Sequence, residues 1–190
     1  DSIAGAEEFL AAPDAAHMGA TIGMECRVSM AGTPLADRRT NNPDQGGVSY
    51  MTIQSVPQDK IDRLTEFFRP YRQARHERNR KMVERINALL PEAALNYDAD
   101  VLPLSQAKEE GGVTERHLMY ALAQKLVAAV GKGQPMVDYL ASIGLTLSEK
   151  QKAQMLDADY PFYAYDLLGI LKSAFVPKIY IDAVFHCMTV

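Results

Sequence analysis

Most signatures of a self-sufficient enzyme or a membrane protein are missing from this chain. No apolar run approaches the ~18 residues of a membrane span, and no stretch resembles a secretory leader. Two cysteines, Cys26 and Cys187, cannot form a disulfide framework, so a reducing, cytoplasmic setting is expected. There is no phosphate-binding glycine loop, no Gly-x-Ser-x-Gly and no dinucleotide fingerprint. The histidines are His17, His76, His117 and His186, and no pair has metal-ligand spacing on a helix. His186 and Cys187 are adjacent and point to opposite faces of an extended segment. Cys26 has no evident activating neighbour. Neither an internal repeat nor a low-complexity segment is present. Spacing alone therefore assembles no complete catalytic centre.

What is present is ordinary globular material. Hydrophobic residues make up 47% of 190 positions and charged residues 23%, enough for one domain with a core, or a domain plus a lobe. Charge is unevenly placed. Arg69 to Arg85 holds seven Arg/Lys against two Glu, a local +5 that leaves −9 on the rest of a chain whose net charge is −4. A basic stretch on an acidic protein points to a local anion site, or to a solvated face paired with the acidic remainder.

That basic stretch belongs to the longest helical pattern, Gln58 to Leu90. Apolar residues recur at Ile61, Leu64, Phe68, Tyr71, Met82, Ile86 and Leu89, the three-four spacing of one helix face. Arg75 falls in the middle of that stripe, with Arg78 and Asn79 at its edges. A guanidinium in an apolar seam needs a bonded partner or a ligand. Arg72, Arg75, Arg78 and Asn79 are the best candidate anion site, since Arg forks match phosphate and carboxylate oxygens. The structural alternative is a salt-bridge cluster with acids such as Glu66, Asp98 or Glu115. Pro70 predicts a kink or a break.

Around this helix, Ile3 to Ala12 reads as a helix stopped by Pro13. Ala20–Met30 and Val48–Val56 read as strands flanking a turn-rich loop, a hairpin with an ordered or functional tip. Glu25 and Arg27 lie on the polar face of the first. Ala94 to Leu104 looks extended. Thr114 opens a helix with Leu118, Leu122, Leu126 and Val130 at fourfold spacing, and neutral His117 in its first turn reads as a packing or capping residue. Ser148 with Gln151 is a capping box. Pro161 to Phe175 is the last helix, stopped by Pro177, and Lys178 to Val184 reads as a strand. The expected fold is mainly α with a small β component. Its organisation is a helical lobe at 57–176, set between a helix–strand–loop–strand segment at 1–56 and a returning strand at 177–190.

The residues also carry a family resemblance. Asp1-Ser2-Ile3-Ala4-Gly5-Ala6-Glu7-Glu8-Phe9 resembles the segment after the Thr-Asp-His motif of PHP-domain proteins (polymerase and histidinol phosphatase domain). Gly23-Met24-Glu25-Cys26-Arg27-Val28 is similar to that family's Gly-x-Glu strand. Arg75 to Asn87, and later Val113 to Leu118, resemble the helical lobe that some bacterial PHP phosphoesterases insert after that Glu.

This resemblance implies a metal-dependent phosphoesterase with zinc, manganese or iron, Glu25 as a metal ligand, and a lobe capping the active site. It also implies a phosphorylated small molecule or phosphodiester as substrate, held by Arg72, Arg75, Arg78 and Asn79. The family's His-x-His pair and its further His and Asp ligands are not among these residues. The expectation is therefore a segment that works with the remainder of a metallo-domain, is inactive alone and binds no metal tightly. The absence of an initiator Met agrees with a processed or excised chain. The alternative is a non-catalytic helical module for an anionic partner, nucleic acid included.

Overall fold

A computed structural model of the chain describes residues 2–42, 45–181 and 188–189. The fold is mainly helical with one small sheet. In chain order the elements are α1 (Ala6–Ala15), β1 (Met24–Ser29), β2 (Val48–Ile53), α2 (Ile61–Leu89), α3 (Glu115–Val130), α4 (Gln134–Ser142), α5 (Glu149–Leu156), α6 (Tyr163–Ile179) and β3 (Met188–Thr189). The chain divides into two compact units. One holds Asp1–Arg78, Gln106–Gly112 and Asp182–Val190; the other holds Asn79–Ser105 and Val113–Ile181. The division falls inside α2.

In the first unit, β1 pairs antiparallel with β2, with Met24 opposite Ile53 and Ser29 opposite Val48, and its other edge pairs parallel with β3. The alternation read from sequence holds in β1. Met24, Cys26 and Val28 are buried, while Glu25 is exposed and Arg27 half-exposed. The buried face joins Ile3, Ala6, Ile22, Ile61 and Phe68 in one core, which Leu10, Val56, Leu64 and Tyr71 border.

The β1–β2 connection is ordered by its own side chains. The Tyr50 N–H donates to Asn41 Oδ1 at 2.9 Å, and Asn41 Nδ2 donates back to the Tyr50 carbonyl at 2.8 Å. Gly47 closes the loop at φ +69°, where an added Cβ would lie 2.1 Å from the Ala36 carbonyl oxygen, so no larger residue fits.

In the second unit α3 packs along α6. Leu118, Leu122 and Leu126 are fully buried, as their fourfold spacing predicts, with Leu167 and Leu171 of α6, Met82 and Ile86 of α2, and Met136, Leu140 and Met155. Tyr163 is buried with its hydroxyl satisfied: it donates to the Met155 carbonyl at 3.0 Å and accepts from the Gly133 N–H at 3.3 Å. The Ser148–Gln151 capping box is present, with Ser148 N–H on Gln151 Oε1 at 2.9 Å. His117 takes the equivalent role at the start of α3, where its Nδ1 accepts the Thr114 N–H at 2.9 Å.

Two prolines and part of one extended stretch depart from expectation, and of the two outcomes expected at Pro70 the break does not occur. Pro13 does not stop α1, which runs on to Ala15; the Ala16 N–H then bonds the Ala12 and Pro13 carbonyls, and His17 turns the chain at φ +54°. Pro70 does not break α2, which is assigned as one helix of 29 residues. Pro177 does not stop α6: Lys178 and Ile179 are helical rather than the start of a strand. Ile179 is fully buried and anchors that last turn. The rest of the expected strand, 182–184, lies outside the described residues, as do His186 and Cys187. Of residues 94–104, expected to be extended, Ala94 and Asn96 have extended backbone angles but the chain from Tyr97 on does not. Residues 97–104 form a π-turn at Tyr97–Val101 and a 3₁₀ turn at Leu102–Leu104, because Asn96 caps the segment by accepting from the Asp98 and Ala99 N–H groups. Leu89, expected in the seam, is exposed, and Leu90 is buried in its place.

The α3 cap generates a pH prediction. Accepting the Thr114 N–H requires a neutral Nδ1, and burial holds the imidazole below its ordinary value of 6.5. A base with a depressed folded pKa binds fewer protons folded than unfolded. Its contribution is therefore complete above about 6.5 and is lost as pH falls through the lower folded value. Urea unfolding should show stability falling below pH 6.5 in the wild type. His117→Gln, which keeps an acceptor at the capping position, should remove that part of the slope.

Candidate functional site

The basic stretch of α2 can now be followed side chain by side chain. Within the first unit, Arg72 is 7% exposed. Its Nη2 donates to the Glu110 carboxylate and, at 3.0 Å, to the Thr65 carbonyl one turn before Pro70. The Thr65 carbonyl gives the nearly buried guanidinium a backbone acceptor within its own helix.

Glu110 is aimed at Arg72 by its backbone. It sits at φ +65° after the 3₁₀ turn Ala107–Glu109, its carbonyl accepts the Ser2 hydroxyl at 2.6 Å, and the Gly111 N–H returns to the Gln106 carbonyl at 2.8 Å. The pair is half-desolvated, with the Glu110 side chain 45% exposed.

Arg75 is half-buried and Arg78 is 4% exposed, and both have interaction partners. Asn79 belongs to the second unit and is fully buried; its Nδ2 donates to the Val113 carbonyl at 3.0 Å, just ahead of α3. The four residues predicted as one anion site thus lie on one helix but in two units. Two of them are held by protein acceptors that are now identified.

The rest of the run behaves alike. Arg69 pairs with Glu66 at 2.5 Å. Arg80 forks onto both oxygens of Asp98 at 2.5 and 2.6 Å, with its guanidinium 4.7 Å from the Tyr97 ring centre. Arg85 Nη1 donates to the Tyr180 carbonyl at 2.9 Å and the Ile179 carbonyl at 3.3 Å. It thereby fills acceptors that the end of α6 leaves open, where a cation is also favoured by the helix dipole. Glu66 and Asp98 were foreseen as acids for the structural alternative. Glu110 and the α6 carbonyls were not: the Glu-Glu-Gly-Gly run signals a turn, but not which carboxylate the turn aims inward.

Glu25 is exposed on the polar face of β1 and has an interaction partner. Cys26, next to it, is 2% exposed; burial, and then the Glu25 charge, push its thiol above the usual range, so it stays protonated. Among the described residues no three His, Cys, Asp or Glu side chains converge on a point where a metal ion could be held. Glu25 and its described neighbours therefore do not fit a metal centre by themselves.

The N-terminal segment and the residues leading into β1 approach each other in the first unit. Ser2–Ala6 and Phe9 on one side, with Thr21, Ile22 and Gly23 on the other, line a cavity of about 300 Å³. Gly23 sits at its base against β2, where an added Cβ would lie 2.3 Å from the Ile53 carbonyl oxygen, so backbone approach there excludes any side chain.

Comparison with protein-family models finds no match, and searches of curated proteins and of solved structures find none.

Two substitutions separate the buried pair from a surface one. Glu110→Gln should cost about 1–3 kcal/mol in urea unfolding, because it leaves a nearly buried guanidinium with a weaker acceptor. Glu66→Gln should cost about 0.5 kcal/mol or less, as exposed ion pairs do.

Proposed function

We propose that this chain is part of a metal-dependent phosphoesterase of the PHP kind. The observation that supports the reading is that Ser2–Ala6, within the Asp1–Phe9 stretch, and Thr21–Gly23, at the start of the Gly-x-Glu stretch, line one cavity, with Gly23 two residues before Glu25 in sequence. On this reading Glu25 contributes one carboxylate to a metal centre completed by groups outside the described residues. A metal held by such a centre would supply an activated water toward a phosphate ester. The roles of the described residues are positional. Gly23 lets β1 and β2 close together beneath the cavity, and the buried face of β1 fixes the direction in which Glu25 points. Arg69, Arg72, Arg80 and Arg85 of α2 bond protein groups and so contribute to the scaffold.

Manganese broadening tests the Glu25 assignment without needing turnover. Mn²⁺ titrated into the ¹⁵N-labelled chain should broaden Gly23–Arg27 and Ser2–Ala6 first, at roughly millimolar metal, as a site with one fixed carboxylate would. Glu25→Gln should remove that focus. Broadening spread evenly over the surface acids, or unchanged in Glu25→Gln, contradicts the assignment. In the same preparation bis(p-nitrophenyl) phosphate should not be hydrolysed above the buffer rate; metal-dependent turnover by this chain alone contradicts its predicted inactivity.

A further inference from the structure

A second cavity in the first unit is unrelated to the Glu25 region. It measures about 420 Å³ and lies between the segment leaving β2 (Ile53 to Pro57) and the start of α2 (Lys60, Arg63, Leu64 and Phe67). That is within the ~300–1,000 Å³ range of small-molecule sites.

Its walls are fixed. The Val56 N–H donates to the Ile22 carbonyl at 3.0 Å, which ties one wall to the core. Ser55 makes the turn at φ +54°, a left-handed conformation that costs a non-glycine residue about 1 kcal/mol and persists only where its surroundings hold it. On the opposite wall Phe67 packs edge-on against Phe68, with ring centres 5.2 Å apart, yet remains 53% exposed.

The polar content of the cavity is specific. Arg63 and Phe67 are four residues apart and share a face of α2. Lys60 is held by Asp59. Arg63 is exposed and makes no hydrogen bond or ion pair among the described residues, unlike most arginines further along α2. An apolar cleft with one uncommitted guanidinium at its rim matches a ligand with an apolar body and a single negative charge. A planar carboxylate fits one guanidinium fork bidentately, whereas a phosphate dianion leaves a charge unmatched.

We propose that this cleft binds a small amphiphilic carboxylate, with its apolar tail against Ile53, Val56, Leu64 and Phe67 and its carboxylate on Arg63. This site is independent of the phosphoesterase reading, because it uses none of the same residues.

Decanoate, decanol and decyltrimethylammonium share a tail and differ in charge, and titrating each into the methyl-labelled full chain tests the assignment. Decanoate should shift the methyls of Ile53, Val56 and Leu64, and should bind at least about tenfold more tightly than decanol, the factor expected of a charge-assisted bidentate bond. The ammonium analogue should bind more weakly than decanol. Arg63→Gln should bring decanoate down to the decanol affinity, and Phe67→Ala should weaken both. Both positions are exposed, and an unchanged thermal midpoint checks that each variant folds. Equal binding of decanoate and decanol, retention of affinity in Arg63→Gln, shifts centred elsewhere, or no decanoate binding each overturn the proposal.

Discussion

A guanidinium withdrawn from water is stabilised by acceptors for its donors, and Arg72 is nearly buried within the helix that carries it. That constraint organises much of the first unit. The Arg72 side chain reaches back to the Thr65 carbonyl and outward to Glu110. Glu110 in turn is fixed by its left-handed backbone and by the Ser2 hydroxyl on its carbonyl. Three stretches far apart in sequence, near residues 2, 72 and 110, are thereby joined through one side chain and its acceptor. The partner carboxylate keeps part of its hydration, so its desolvation cost is below that of a fully buried pair.

The same logic extends along α2 in the second unit. Asn79 satisfies the Val113 carbonyl ahead of α3, Arg80 forks onto Asp98 over Tyr97, and Arg85 fills the carbonyls at the end of α6. Each side chain completes a backbone or a carboxylate that the fold would otherwise leave short of a donor. The local excess of positive charge on an acidic chain is thus largely internal wiring. Arg63 stands outside this pattern, at the edge of an apolar cleft in the first unit.

Much of the fold was legible because its signals are short-range. Alternation placed the buried face of β1, fourfold leucines placed the buried face of α3, and Ser148 with Gln151 placed the start of α5. The failures share one physical cause, which is tertiary satisfaction of locally unfavourable features. Pro13 and Pro177 each remove a donor, but the Ala16 N–H bonds beyond the first and buried Ile179 beyond the second carry the helix past them. Residues 94–104 lack helical periodicity, yet Asn96 caps them into tight turns and Asn87 clasps Leu95 by two hydrogen bonds. For the site, the anomaly at Arg75 to Asn79 was visible as charge in an apolar seam. The partners were not, because Glu110 and Val113 lie more than 30 residues away and no local rule links them to α2.

α2 remains one helix through Pro70 and its polar stretch, and the bonds of Arg72 and Asn79 to groups elsewhere in the fold stabilise that stretch. Native-state hydrogen exchange followed residue by residue tests this most directly. Protection should be continuous from Gln73 through Ile86, with the amides at 75–79 as slow as those at 82–86. Rapid exchange confined to 71–79, leaving two separately protected helices, would contradict it.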